Sequence, residues 1–459
     1  MKKLLAACCL LYSVHVGAQT AAPLSQYDII SYALNVELFD ETDSITVGGV
    51  VKYRLTDPNC KEIVLDLIGP DAATKKGMTV TIITCSSLPP DQTTIAFRQE
   101  GNKVIVPAQK DTARQWFYIQ YKGIPADGMI IGKNKFGERT FFSDNWPDRA
   151  AHWIACVNHP ADKASFVWHI EAPAYYTVTC NGILTMEINA PGDRKSWTFI
   201  EDHPIPVKVA AVGVARFDKI LSGNIGCVPV YKYYYPQTAG NKYFKFDNAM
   251  EILRFYSSLI GEYPFQKLAN VQSTTIFGGM ENAGNIFYDE NQIDNYNSVE
   301  ALVAHEIAHQ WFGNTVTEKS YAHLWLSEGF AVFFTNLYLE KKYGKDTLKK
   351  RLKDDWNKVS GFSRINPLPV VNNTPSYMSL LNPLSYQKGG LFLQTLREQV
   401  GDETFFKIIR SYFSRYKYKN ADTEDFRAEV EAITKKDWKD FFNDWLYKTK
   451  LPEKYLTGR

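Results

Sequence analysis

Hydrophobic positions in the first half of the chain recur at every second residue. Tyr32, Leu34, Val36 and Leu38 alternate with Ser31, Ala33, Asn35 and Glu37, and Ile45, Val47, Val51, Tyr53 and Leu55 keep the same period. Strand side chains point to opposite faces in turn, so this pattern predicts strands with one face in a core. Similar runs lie at 79–83, 115–121, 165–170 and 196–200, separated by Gly, Pro, Asp and Asn. Residues from about 26 to 225 therefore predict an antiparallel β domain, a sandwich or saddle.

After about residue 240 the period changes. Residues 246–260 have helical spacing and 269–277 read as a strand. Asn297-Ser298-Val299-Glu300 is a capping-box pattern ahead of a helix that would bury Leu302, Val303, Ile307 and Trp311. Residues 328–343 predict a second helix, stopped by Gly344. Further helices are expected from Gly389-Gly390 to near Gly401, over 403–416 and 423–433, and around Phe441, Phe442 and Trp445. The fold class expected is α+β with several domains: a β domain over 19–230, then a mixed α/β domain over 231–459.

Composition is that of an ordinary globular chain, with 22% charged and 45% hydrophobic residues in 459. With 52 basic against 50 acidic side chains, charge gives no reason to expect nucleic acid as a partner. The basic cluster Lys349, Lys350, Arg351 and Lys353 runs straight into Asp354 and Asp355, which predicts a solvated helix face. Met1-Lys2-Lys3, an apolar run to Val16 and then Val16-Gly17-Ala18 predict a signal peptide over 1–18 and an exported protein, periplasmic or secreted. Leu5-Ala6-Ala7-Cys8 also spells a lipoprotein processing site, but its apolar run is too short, so anchoring through Cys8 is the minor alternative. No later segment is long and apolar enough to span a bilayer. Export would leave Cys60, Cys85, Cys156, Cys180 and Cys227, an odd number whose spacing does not suggest a metal site. Oligomeric state is not legible.

Candidate chemistry centres on His305-Glu306-Ile307-Ala308-His309. Histidines four apart on a helix lie about 40° apart around its axis, so both imidazoles reach one ion. Glu328, nineteen residues after His309, opens the next expected helix, where a short turn would swing it back to the first, and Glu306 points into the same cleft as a general base. Upstream, Phe277-Gly278-Gly279-Met280-Glu281-Asn282 follows the expected strand, and its two glycines admit another backbone at close range.

Together these motifs resemble the M1 family of zinc aminopeptidases, over nearly all of the chain that follows the leader. Asn145-Trp146-Pro147 through Lys163 is similar to the family's segment in the β domain. Tyr386-Gln387-Lys388-Gly389-Gly390 matches its tyrosine element, and Phe441-Phe442-Asn443-Asp444-Trp445-Leu446 resembles the end of its catalytic domain. The resemblance implies a thermolysin-like catalytic domain with one Zn²⁺ held by His305, His309 and Glu328. It implies Glu306 as general base, Tyr386 as donor to the tetrahedral oxyanion, and Glu281 as the anchor of a free α-ammonium. Gly278 and Gly279 would pair with the peptide as an added strand, and Met280 and Asn282 would line its binding site. The implied substrates are peptides with a free N-terminus.

Ala151, Ala155 and Asn158 stand where the family usually has Arg, Pro and Asp. A second amine-binding acid has no clear counterpart, although Asp144 and Trp146 lie nearby. The chain ends soon after Leu451-Pro452, where many family members add a helical domain, so a minimal form with a more open cleft is expected. HExxH alone would also serve an endopeptidase, and a peptide-binding protein without turnover is a rival from another class. Epoxide hydrolysis is a third reading.

Overall fold

The computed structural model describes residues 26–85, 93–238, 244–295, 299–374 and 376–452. The expected leader and Cys8 lie outside the described residues.

The first half is built on a seven-stranded sheet. Its spatial order is Ile183–Ala190, Arg194–Pro206, Lys163–Pro173, Tyr27–Glu37, Ile45–Leu55, Trp116–Ile124 and Gly77–Thr84. Five of the six pairings are antiparallel, but Tyr27–Glu37 runs parallel to Lys163–Pro173, with Ser31 opposite Ser165. A period of two says which face is buried, not which neighbour a strand takes. The inward residues Tyr32, Leu34, Val36, Phe166, Trp168 and Ile170 join one core with Phe141, Phe142 and Val212 from a smaller four-stranded sheet.

From Asp218 onward the chain enters a five-stranded mixed sheet. Its order is Asp218–Ile225, Val228–Tyr234, Leu268–Ser273, Asn285–Asp289 and Gly279–Met280. The last, two-residue strand forms an edge. Helices Ala249–Ile260, Glu300–His309, Trp325–Tyr343, Lys345–Ile365, Gly389–Val400, Asp402–Tyr416 and Thr423–Thr434 complete this half. They share a second core rich in Phe, Tyr and Trp. Lys349, Lys350 and Lys353 are exposed on the 345–365 helix, while Asp355 is buried against Asn336. No helix among the described residues is long and apolar enough to cross a membrane.

One local expectation fails. The strand expected to reach Phe277 stops at Ser273, because the Ile276 N–H turns away to the Asp144 carboxylate. The expected capping box rests on Asn297 and Ser298, which lie outside the described residues; the described helix begins at Glu300. The buried Glu300 carboxylate accepts from Tyr338 (2.8 Å), Tyr343 (2.6 Å) and Lys342 (2.5 Å), three donors of the 325–343 helix.

The two halves are joined by buried charge. Lys208 pairs with Glu318, both essentially without solvent exposure. The Lys163 ammonium donates to the Thr315, Lys419 and Asn314 carbonyls at 2.8, 3.0 and 3.3 Å. Removing one member of a buried pair strands the other charge. Glu318→Ala should therefore cost about 3–5 kcal/mol in urea denaturation. The double change Lys208→Met with Glu318→Leu should recover most of that loss.

Candidate active site

His305 and His309 stand on the last turns of the 300–309 helix, and Glu328 on the first turn of the 325–343 helix. Their ligand atoms form a tight triangle. His305 Nε2 and His309 Nε2 are 3.1 Å apart, and Glu328 Oε2 lies 3.3 Å from the first and 3.4 Å from the second. Tetrahedral zinc with bonds near 2.0–2.1 Å requires ligand separations of about 3.3 Å, so the three donors fit that ion. The tautomer fits as well. His309 Nδ1 faces the Phe312 carbonyl at 3.2 Å and Ser327 Oγ at 3.0 Å, so a proton on Nδ1 leaves Nε2 as a lone pair toward the triangle.

Close backbone contact brings these elements together. The 325–343 and 389–400 helices touch at Gly329 and Gly389, where an added Cβ on Gly329 would lie 2.8 Å from Gly389 Cα. A Cβ on Gly390 would meet Val332 at 2.7 Å. The glycines after Tyr386 thus allow the helices to cross almost backbone to backbone, one residue from the ligand Glu328. Tyr386 itself lies in a wide π-type turn, Leu384–Lys388, a feature common at functional sites. Its ring is nearly parallel to that of His305, with centroids 5.9 Å apart. Burial, then the carboxylates of Glu328, Glu281 and Glu306, hold the Tyr386 phenol well above its ordinary pKa, so it remains an O–H donor.

The strand Gly279–Met280 lies against Glu306: a Cβ on Gly279 would stand 2.3 Å from Glu306 Oε1. Gly278 has room, its nearest neighbour being Gln292 at 3.7 Å. Met280 is buried at 1% exposure in the core of the first half, a packed rather than an open position. Asn282 is fully buried, and its side-chain amide makes no hydrogen bond among the described residues. The Glu281 carbonyl accepts from Gln310 Nε2 at 2.9 Å and Asn314 Nδ2 at 2.6 Å, while Gln310 Oε1 takes the Gly284 N–H at 2.8 Å. Gln310 and Asn314 were not singled out from sequence. Gln310 lies four residues after Glu306, and that spacing was the available signal for it. Nothing local marks Asn314.

The electrostatics of the cleft are lopsided. Glu281, Glu306 and Glu328 are buried, and none forms an ion pair with lysine or arginine among the described residues. Glu281 Oε1 has no hydrogen-bond partner among the described residues. Burial, reinforced by Glu281 and Glu328, raises the Glu306 carboxyl well above its usual range. Burial opposes charge on His309, but Glu328, Glu281 and Glu306 outweigh it and push that imidazole up to about 10. The cleft attracts cations. Asp144, one of two sequence candidates for a second amine ligand, is fully buried and bound to Arg149, Thr275 and Ile276. Trp146, the other, is packed edge-on against Phe277 and Tyr321.

Two histidines and a glutamate at zinc spacing, beside a buried glutamate that is not part of the triangle, form the donor set of a catalytic zinc site. Residues 244–445 match the Peptidase family M1 domain. Probable aminopeptidase 2 of Sulfurisphaera tokodaii is 29% identical over 325 residues, covering 67% of this chain and 41% of the relative. Mitochondrial aminopeptidase 2 of Saccharomyces cerevisiae is 27% identical over 456 residues, covering 92% and 46%. The chain thus spans less than half the length of these curated relatives. Among solved structures, the M1 zinc metallopeptidase of Deinococcus radiodurans superposes with a TM-score of 0.79 at 22% identity, over 93% of this chain and 95% of that one.

The contact between Gly279 and Glu306 makes a sharp test of the geometry. Gly279→Ala should leave zinc content unchanged while lowering peptide turnover by about tenfold or more, since the strand or the carboxylate must shift. Zinc analysis and kcat on one peptide check this.

Proposed function

We propose that this chain is a zinc-dependent aminopeptidase that hydrolyses the first peptide bond of substrates with a free N-terminus. The carrying observation is the Glu281 carboxylate, buried and unpartnered in one oxygen, at the end of an open sheet edge that lies against Glu306. An extended peptide added to the edge at Gly279 would run toward Glu281, where its ammonium meets a charge-assisted partner. That contact fixes which carbonyl reaches His305, His309 and Glu328, and it rejects blocked termini.

Zinc bound by His305, His309 and Glu328 would supply Lewis-acid activation of water and of the scissile carbonyl. Glu306, made more basic by burial, takes the proton of the attacking water and passes it to the leaving amine. The Tyr386 hydroxyl, kept protonated, donates to the oxygen on which charge develops. Gln310 and Asn314 hold the Glu281 backbone, so the anchor and the base keep one geometry. The names of the curated relatives support the aminopeptidase reading. So does a variant of the Deinococcus radiodurans metallopeptidase solved with the substrate Tyr-Ser-Ala. The charged and then apolar first eighteen residues support action outside the cytoplasm.

The reading is tested by incubating zinc-loaded protein with a peptide library and its N-acetylated copy, followed by mass. Stepwise loss of N-terminal residues from the free set alone is expected. Internal cleavage of both sets would make the protein an endopeptidase, and binding without cleavage a peptide-binding module. Glu306→Gln should retain zinc and lose about 10²–10⁴ in kcat. Tyr386→Phe should lower kcat by about 10² with a much smaller change in KM, because its bond forms chiefly in the transition state.

A further inference from the structure

The strand that leads into Glu281 is only two residues long, too short to hold its own register. The chain approaching it leaves the sheet at Ser273 and is tied to the first half of the molecule by Asp144. Asp144 follows the strand Arg139–Ser143 and has no solvent exposure. Its Oδ2 accepts the Ile276 N–H at 2.9 Å and the Thr275 hydroxyl at 3.1 Å, and its Oδ1 lies 2.7 Å from Arg149 Nη2. Arg149 is fixed in turn. It donates through Nε to the Trp146 carbonyl at 2.9 Å, pairs through Nη1 with Asp127 at 2.9 Å, and sits 5.5 Å from the centre of the Phe277 ring. Trp146 packs edge-on against Phe277 with centroids 5.7 Å apart. Residues 275–277 are therefore gripped on backbone, hydroxyl and ring by one short segment, 144–149.

We infer that Asp144, held by Arg149, is a positioning residue for the substrate strand. It sets the register in which Gly278 and Gly279 meet a peptide backbone and Glu281 meets its amine. The inference rests on the aminopeptidase reading. Burial raises the Asp144 carboxyl, whereas Arg149, the Ile276 N–H and the Thr275 hydroxyl pull it back, so its charge and the grip on the strand belong together. With both oxygens engaged, Asp144 has none left for an ammonium, and it serves Glu281 from behind.

Asp144→Asn and the near-isosteric Thr275→Val test this, with kcat and KM measured on a free-amine peptide and on its N-acetylated copy. Zinc content and thermal midpoint are measured alongside. Both variants should bind one zinc per chain, raise KM for the free-amine peptide about tenfold and reduce the preference for it over the acetylated copy by a similar factor. Partial unfolding would lower kcat through the active fraction while KM and the preference stayed as in the wild type. Unchanged KM and preference in whichever variant folds and binds zinc would overturn the inference; Thr275→Val decides it if Asp144→Asn does not fold. Wild-type protein that cleaves both peptides equally would instead overturn the aminopeptidase reading itself. Wild-type preference that both variants retain removes the positioning role alone.

Discussion

Three carboxylates buried in one cleft, none of them paired with a lysine or arginine among the described residues, are the constraint on which this structure turns. Glu281, Glu306 and Glu328 take three acidic groups out of water, and of the two imidazoles only His309 is pushed toward its charged form. Uncompensated buried charge is costly, and the cleft is therefore built for cations. A divalent ion in the triangle of His305, His309 and Glu328, with one substrate ammonium at Glu281, would bring exactly as many positive charges as there are carboxylates. Metal and substrate amine then complete the electrostatics of the fold, each in a different corner.

Holding three like charges within reach of one another requires a rigid frame, and the frame comes from backbone contacts. Gly329 against Gly389 lets the helix bearing Glu328 cross the helix that follows Tyr386 at the closest possible distance. Gly279 does the same for the edge strand against Glu306. Gln310 and Asn314, just beyond the histidines, clasp the carbonyl of Glu281. Behind this layer, Lys163 and Lys208 bind the two halves, and Lys163 does so through a group that also bears on the cleft, since Asn314 accepts from Lys163 and donates to Glu281. The β half is thus part of the site's support.

Much of this was legible in the sequence. The alternation from Tyr32 to Leu55 matches two strands, and Gly344 and Gly401 stop their helices at φ of 88° and 80°, where glycine is favoured. The residues of HExxH and Glu328 meet at ion-binding distance because helical spacing and one acidic position carry that information locally. What stayed hidden depends on distant partners. The parallel pairing of Tyr27–Glu37 with Lys163–Pro173 spans more than a hundred residues and leaves no local trace. The three donors that meet the Glu300 carboxylate lie more than thirty residues away and leave no local trace either. Asp144 reads as an acid near the site. Only the fold shows that its oxygens are already spent on Ile276, Thr275 and Arg149.

The most direct test of the account is a crystal structure of zinc-loaded Glu306→Gln protein with an unblocked tripeptide. The account predicts zinc between His305, His309 and Glu328, the peptide paired to the Gly279 edge, and its ammonium within hydrogen-bond distance of Glu281 Oε1. A peptide running past Glu281 with no amine there, or a metal held by other residues, would contradict it.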